Sequence, residues 1–171
     1  MVLILFLILA QVNGGESEKL IDKYFDKVED YYEDHDLSLK EYTVLLEDKT
    51  VKEFYSVKNA KNQVESYFLI SQVAACSLGG CTSLDEKSKT LSSEYFDLLV
   101  ILDESKNIQY LKILDYFSDY GYEVTSKRYL KKFKNKNVCS FFEETDGIDA
   151  ISGATVSSQA LEYTLSLLCE N

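Results

Sequence analysis

The residues best suited to chemistry lie near the C-terminus, where Asp149-Ala150-Ile151-Ser152-Gly153-Ala154-Thr155-Val156-Ser157-Ser158 leads into the apolar run Ala160 to Leu168. Ser157 or Ser158 suits an N-cap, and Leu161, Leu165 and Leu168 recur at helical spacing, so a tight turn of small residues is expected to feed a helix. The first amide N–H groups of such a helix have no partner within it, and its dipole is positive at that end, which favours an anion. Ser152, Gly153 and Ala154 carry little side chain, so a bulky ligand can approach the backbone, and Thr155 offers a hydroxyl beside the donor-rich turn. A phosphate is the guest that this pattern suits. The same small residues would also serve a helix entry whose only purpose is packing.

Asp149 to Thr155 as a unit resembles the Asp-x-x-Ser-Gly-Ala-Thr signature of FMN-binding domains. That family includes the C subunit of the sodium-pumping NADH:quinone oxidoreductase and the G subunit of Rnf-type complexes. The resemblance implies FMN as cofactor, joined through a phosphoester to the threonine that ends the signature, here Thr155, by a magnesium-dependent flavin transferase. It further implies cofactor contacts at Ser152, Gly153, Ala154 and Ser157. Asp149 is then a recognition element for the transferase, or a carboxylate that favours the helix start electrostatically. No catalytic acid, nucleophile or metal ligand is assigned.

Residues 16–35 place Leu20, Ile21, Tyr24, Phe25, Val28, Tyr31 and Tyr32 at three- and four-residue spacing opposite an acidic face, the pattern of an amphipathic helix. His35, in the acidic run Glu33-Asp34-His35-Asp36, has no neighbours that would make it a ligand or base. Leu37 to Leu46 and Val51 to Val57 read as short strands, and Val64 to Val73 as a stronger one. Thr82 to Ser92 is a polar connection. The nearly continuous apolar run Tyr95 to Asp103, a turn at Glu104 to Asn107, and the alternating Ile108 to Leu114 predict a hairpin with one buried face. A basic helix is expected over Thr125 to Lys134 with Tyr129, Leu130 and Phe133 inward.

This middle region adds to the resemblance. The hairpin, the segment Asp119-Tyr120-Gly121-Tyr122-Glu123-Val124, the run Ser126 to Phe133 and the earlier Gly79-Gly80-Cys81 loop are similar to the order of segments in small exported bacterial members. Complex-associated members carry Glu-Thr-Pro-Gly near the flavin; the corresponding residues here are Ser118-Asp119-Tyr120-Gly121, which keep only the glycine, in a chain without proline. Gly121 is therefore a candidate cofactor-binding position. The expected organisation is a signal peptide at residues 1–14, an N-terminal helix and short strands at 15–63, and an FMN-binding domain at 64–171. The expected fold is α+β: an antiparallel sheet with an N-terminal helix and a C-terminal helix following the flavin-attachment turn.

Val2 to Ala10 is an unbroken apolar run before Gln11-Val12-Asn13-Gly14-Gly15. It is shorter than the roughly 20 residues that a membrane span requires and matches a secretory h-region with cleavage after Gly14, although no Lys or Arg precedes it. A buried strand or helix start is the alternative. The net charge of -11 argues against nucleic-acid binding, because a phosphate backbone would be repelled. Lys127, Arg128, Lys131, Lys132, Lys134 and Lys136 form a basic cluster without a carboxylate, suited to a solvated face, to balancing the flavin phosphate or to meeting an acidic redox partner. The four cysteines permit three pairings. Cys76 and Cys81 could close a loop through two glycines, leaving Cys139 to pair with Cys169; each bridge is expected to be structural, with a redox-active pair as the alternative.

These observations converge on an exported, extracytoplasmic flavoprotein of the periplasm or cell envelope that carries electrons between membrane or extracytoplasmic partners. Covalent attachment would keep the cofactor from being lost by dilution outside the cytoplasm. The alternatives are a small flavin-dependent reductase of a diffusible acceptor and a non-flavinylated interaction module of the same fold.

Overall fold

The computed structural model describes residues 17–32, 38–45, 51–58, 64–75, 94–140 and 154–169. The segment of the expected signal peptide, His35, the Thr82 to Ser92 connection, Cys76, Cys81, Asp149, Ser152 and Gly153 lie outside them. The chain divides into two compact units, Met1–Asp36 and Leu37–Asn171.

In the first unit, helix α1 (Ser17–Tyr32) follows from the three- and four-residue apolar spacing. Its buried stripe is narrower than the sequence pattern: Tyr24 and Val28 are buried, whereas Tyr31 is 38% exposed. Lys23 Nζ lies 4.5 Å from the centre of the Tyr24 ring, and Lys27 pairs with Asp26 at 2.7 Å, contacts too exposed to add much to the helix.

The second unit is built on a five-stranded antiparallel meander in chain order: β1 (Ser38–Leu45), β2 (Val51–Lys58), β3 (Val64–Ala74), β4 (Tyr95–Asp103) and β5 (Ile108–Phe117). With α1 and a C-terminal helix α3 (Thr155–Ser166), the α+β architecture is as expected. β4 occupies the span read from its apolar run, but Phe96 to Leu102 are buried on both faces of the sheet and not on the one face expected of the hairpin. On one face Phe96, Leu98, Val100 and Leu102 join Leu69 and Val73 of β3 against Leu161, Leu165 and Leu168. The leucine spacing thus produces a buried stripe that runs from α3 into the 3-10 turn Leu167–Cys169, each such side chain contributing about 1.5–3 kcal/mol on burial. On the other face Phe68, Ile70, Leu99 and Ile101 are also buried, and Tyr55 stacks on Phe68 with ring centres 5.0 Å apart.

β5 runs to Phe117, three residues past the expected end, and it is twice irregular against β4. Leu98 lies opposite Ile113 and Asp97 opposite Asp115, so Leu114 is an extra residue; Ile101 lies opposite Tyr110 and Leu102 opposite Ile108, so Gln109 is another. Each bulge resets which residues face the core. Leu111, Ile113 and Tyr116 therefore all pack against the α3 side, although simple alternation would put Tyr116 on the opposite face from Ile113.

The β4–β5 turn is fixed by Asp103. Its carboxylate accepts hydrogen bonds from Ser105 N, Asn107 N, Asn107 Nδ2 and Gln109 Nε2, each at 2.9 Å. Burial works against its charge, but these donors outweigh it and hold the carboxyl below its ordinary range. Lys106, at φ 63°, donates its ammonium to the carbonyl of Cys169 at 3.1 Å.

The expected basic helix is shorter than its sequence suggests. Only Lys127–Leu130 forms α2, with the Ser126 hydroxyl accepting from Tyr129 N. Lys132, Phe133 and Lys134 bond three residues back instead of four, and Asn135, at φ 61°, ends the run. The physical reason is tertiary: Asn135 N and Lys136 O pair with Ile108, which turns the chain back onto the hairpin. Tyr129 and Phe133 are buried and Leu130 is half-buried. Val138 N then bonds Lys106 O at 3.0 Å, and Cys139 forms a disulfide with Cys169 across 30 residues of sequence.

Two outcomes follow from this packing. Replacing Cys139 and Cys169 together by serine releases a closed loop of this length and should lower the unfolding free energy by about 3–4 kcal/mol, read by denaturant titration. Burial raises the Tyr129 phenol far above its ordinary value of about 10, reinforced by Glu162, and burial also raises Tyr116. Groups that bind their proton more tightly when folded contribute stability that is intact below the unfolded pKa and is lost as pH rises above it. Stability should therefore fall progressively above about pH 10, and Tyr129→Phe should flatten that decline in melting curves recorded across alkaline pH.

Candidate functional site

Helix α3 begins at Thr155, not after Ser157 or Ser158. Its N-cap is Ala154, at φ -128° and ψ 25°, and no side chain caps it. The expected serine cap is thus corrected: Ser157 and Ser158 lie inside the first turn and both are fully buried. Ser158 N bonds the Ala154 carbonyl at 2.9 Å, and its hydroxyl donates to the Thr155 carbonyl at 2.9 Å. The local reason is the space allowed by Ala154, which is itself fully buried, so the helix starts close against the core. Thr155 comes out exposed on the first helical residue.

The first turn of α3 is tied to the sheet by Tyr116. The Tyr116 hydroxyl donates to the Tyr120 carbonyl and lies 3.0 Å from the Ser157 hydroxyl. A phenol has one proton, and a carbonyl can only accept, so Ser157 is the donor in the second bond. Burial raises the Tyr116 pKa, with Glu123 and Glu94 adding to the effect, and the phenol stays protonated throughout the neutral range. Its ring stacks on Phe96 with centres 5.7 Å apart and meets Tyr122 edge-on at 5.8 Å.

Gly121 directs the other half of this arrangement. It takes φ 78°, a conformation that costs a residue with a Cβ, and starts a short 3-10 helix at Tyr122–Thr125. The turn presents the Tyr120 carbonyl to Tyr116 and to the Ser118 hydroxyl, which lies 3.1 Å away. The single Ser118 hydroxyl proton is also within reach of the Glu94 carboxylate, at 3.0 Å, the charged and therefore stronger acceptor. Glu94, Tyr116, Phe117, Ser118 and Asp119 line an open cleft of about 280 Å³.

Of the residues singled out in the sequence, Gly121 and Ser157 are thus brought within one side chain of each other, with Ala154 and Thr155 on the same turn as Ser157. The basic cluster is exposed, and Lys132 stands 5.8 Å from the ring centre of Tyr129, whose hydroxyl donates to Glu162 at 3.3 Å. The residue that sequence reasoning missed is Tyr116. Nothing in the alternation of β5 marks it, because its face depends on the Leu114 bulge.

Residues 93–166 match the family model of the FMN-binding domain, a stretch that holds the cleft, Gly121 and Thr155. That stretch belongs to the FMN-binding domain family. The match supports a flavin-binding protein with FMN as its cofactor. Comparison with curated proteins and with solved structures gave no match. The described residues of the FMN-binding domain fit a flavin nucleotide. A solvent-facing hydroxyl stands at a helix start that favours phosphate, and an open, largely polar cleft that includes Tyr116 and Phe117 lies one hydrogen bond from that turn.

Tyr116→Phe removes the hydroxyl shared by Tyr120 and Ser157 while keeping the ring. It should cost about 1–2 kcal/mol of stability in denaturant titration and increase hydrogen exchange at the amides of the first turn of α3.

Proposed function

We propose that the protein is an exported flavoprotein electron carrier whose FMN is esterified through its phosphate to the Thr155 hydroxyl. The observation that carries this reading is the position of Thr155: an exposed hydroxyl on the first residue of a twelve-residue helix, beside a buried alanine, inside the stretch matching the FMN-binding domain. Phosphate charge is favoured there by the unpaired amides and the helix dipole, and the alanine leaves room for the ester.

Attachment requires a magnesium-dependent flavin transferase with an activated FMN donor. A bond forms between the threonine oxygen and phosphorus, the hydroxyl loses its proton, and the leaving group of the donor departs. Asp149, Ser152 and Gly153 precede the acceptor and are assigned to recognition and close backbone approach, while Ser157 and Gly121 support the site through Tyr116 and Tyr120. FMN supplies the redox chemistry when bound; the protein positions it and sets its electrostatic surroundings. The apolar run Val2 to Ala10 supports export to the cell envelope, where a covalent cofactor is retained without depending on affinity. The partners are then redox proteins of the membrane or envelope.

Co-expression with a flavin transferase should give a band that fluoresces under ultraviolet light after denaturing electrophoresis and an intact mass raised by one FMN ester. Thr155→Ala should abolish both. A fluorescent band that survives this substitution would place the attachment elsewhere, and an unmodified wild-type mass despite an active transferase would remove the covalent reading.

A further inference from the structure

We propose that Glu94 and Asp119 set the flavin of this protein at a low reduction potential by holding negative charge along the cleft in which its ring lies. The inference rests on the attachment reading above and concerns two side chains that no motif assigns. Both line the open cleft of about 280 Å³ together with Tyr116, Phe117 and Ser118. That cleft shares Tyr116 with the first turn of α3, where the phenol meets Ser157 two residues beyond Thr155. In this proposal the ring of a flavin tethered at Thr155 reaches around the first turn of α3 into this depression.

One of the two carboxylates is held in place by a hydrogen bond. Glu94 immediately precedes β4 and accepts a hydrogen bond from Ser118 at 3.0 Å, and the Ser118 hydroxyl in turn accepts from Tyr120 N at 3.0 Å. Asp119 lies between these two residues in the bend after β5. The field in this place already acts on a group of known chemistry: Glu123 and Glu94 both help to disfavour the anionic form of Tyr116, behind the larger effect of burial. None of the basic cluster from Lys127 to Lys136 lines the cleft.

Two-electron reduction of a flavin, with one proton taken from water, leaves one added negative charge on the ring. Glu94 and Asp119 oppose that charge by Coulomb repulsion, which weakens with distance and with salt. The oxidised ring is neutral and is not opposed in this way. The carboxylates therefore favour the oxidised state and make the reduced protein a stronger electron donor.

The test is a dithionite titration, under an inert atmosphere, of the flavinylated wild-type protein, Glu94→Gln, Asp119→Asn and the double variant, with intact mass recorded for each. The midpoint should shift to more positive values in each single variant and further in the double variant, while Glu104→Gln, in the exposed β4–β5 turn, should leave it unchanged. The wild-type midpoint should also rise with ionic strength, a measurement that needs no substitution. A flavin-bearing double variant with the wild-type midpoint, or a wild-type midpoint indifferent to salt, would overturn the proposal. Wild-type protein without flavin mass would instead overturn the attachment reading on which it rests.

Discussion

One extra residue in β5 decides which chemistry the sheet can support at its edge. Leu114 has no opposite number in β4, and beyond it the strand presents its other face. Tyr116 therefore joins Leu111 and Ile113 on the side packed by α3, stacks on Phe96 and reaches Ser157. With regular pairing Tyr116 would lie opposite Tyr95 on the face of Asp97, and the first turn of α3 would lose its hydrogen bond to the sheet. The same hydroxyl takes up the Tyr120 carbonyl, so one phenol joins the glycine turn to the helix that carries Thr155.

The two ends of α3 are secured by different means. At the start, a pair of hydroxyls and a buried alanine hold the helix against the core while Thr155 stays outside. At the far end, the chain closes with a disulfide from Cys169 to Cys139, and Lys106 donates to the carbonyl of Cys169. Between them Leu161 and Leu165 are fully buried against the β3–β4 face. A helix packed along its length and tied at its C-terminal end gives the threonine a rigid base. In the proposed attachment such rigidity matters, because small displacements of the anchor move the far end of a ligand by more.

Charge is unevenly distributed over the matched domain. The lysines and arginine between Lys127 and Lys136 are solvated, and the cleft next to Tyr116 has Glu94 and Asp119 in its wall. Asp103 shows the other use of a carboxylate in this fold: four donors hold its charge and so fix the hairpin turn. Whether a carboxylate organises the backbone or colours a cavity depends on the donors around it, which composition does not reveal.

Much of the frame was legible in the order of residues. The apolar run Tyr95 to Asp103 marked a strand, and the leucines at 161, 165 and 168 marked the inward stripe of α3 and of the 3-10 turn that follows it. These are local properties, written in side-chain size and period. The tertiary structure alone decided the bulges at Gln109 and Leu114, the arrest of α2 after one turn and the choice of Ala154 as N-cap. Each of these is settled by a partner distant in the chain: β4 for the bulges, Ile108 for the return at Asn135, and the packed core for the entry of α3. Tyr116 belongs with them, because the face on which a strand residue lies is fixed by the register of its neighbour, and register is a property of the pair.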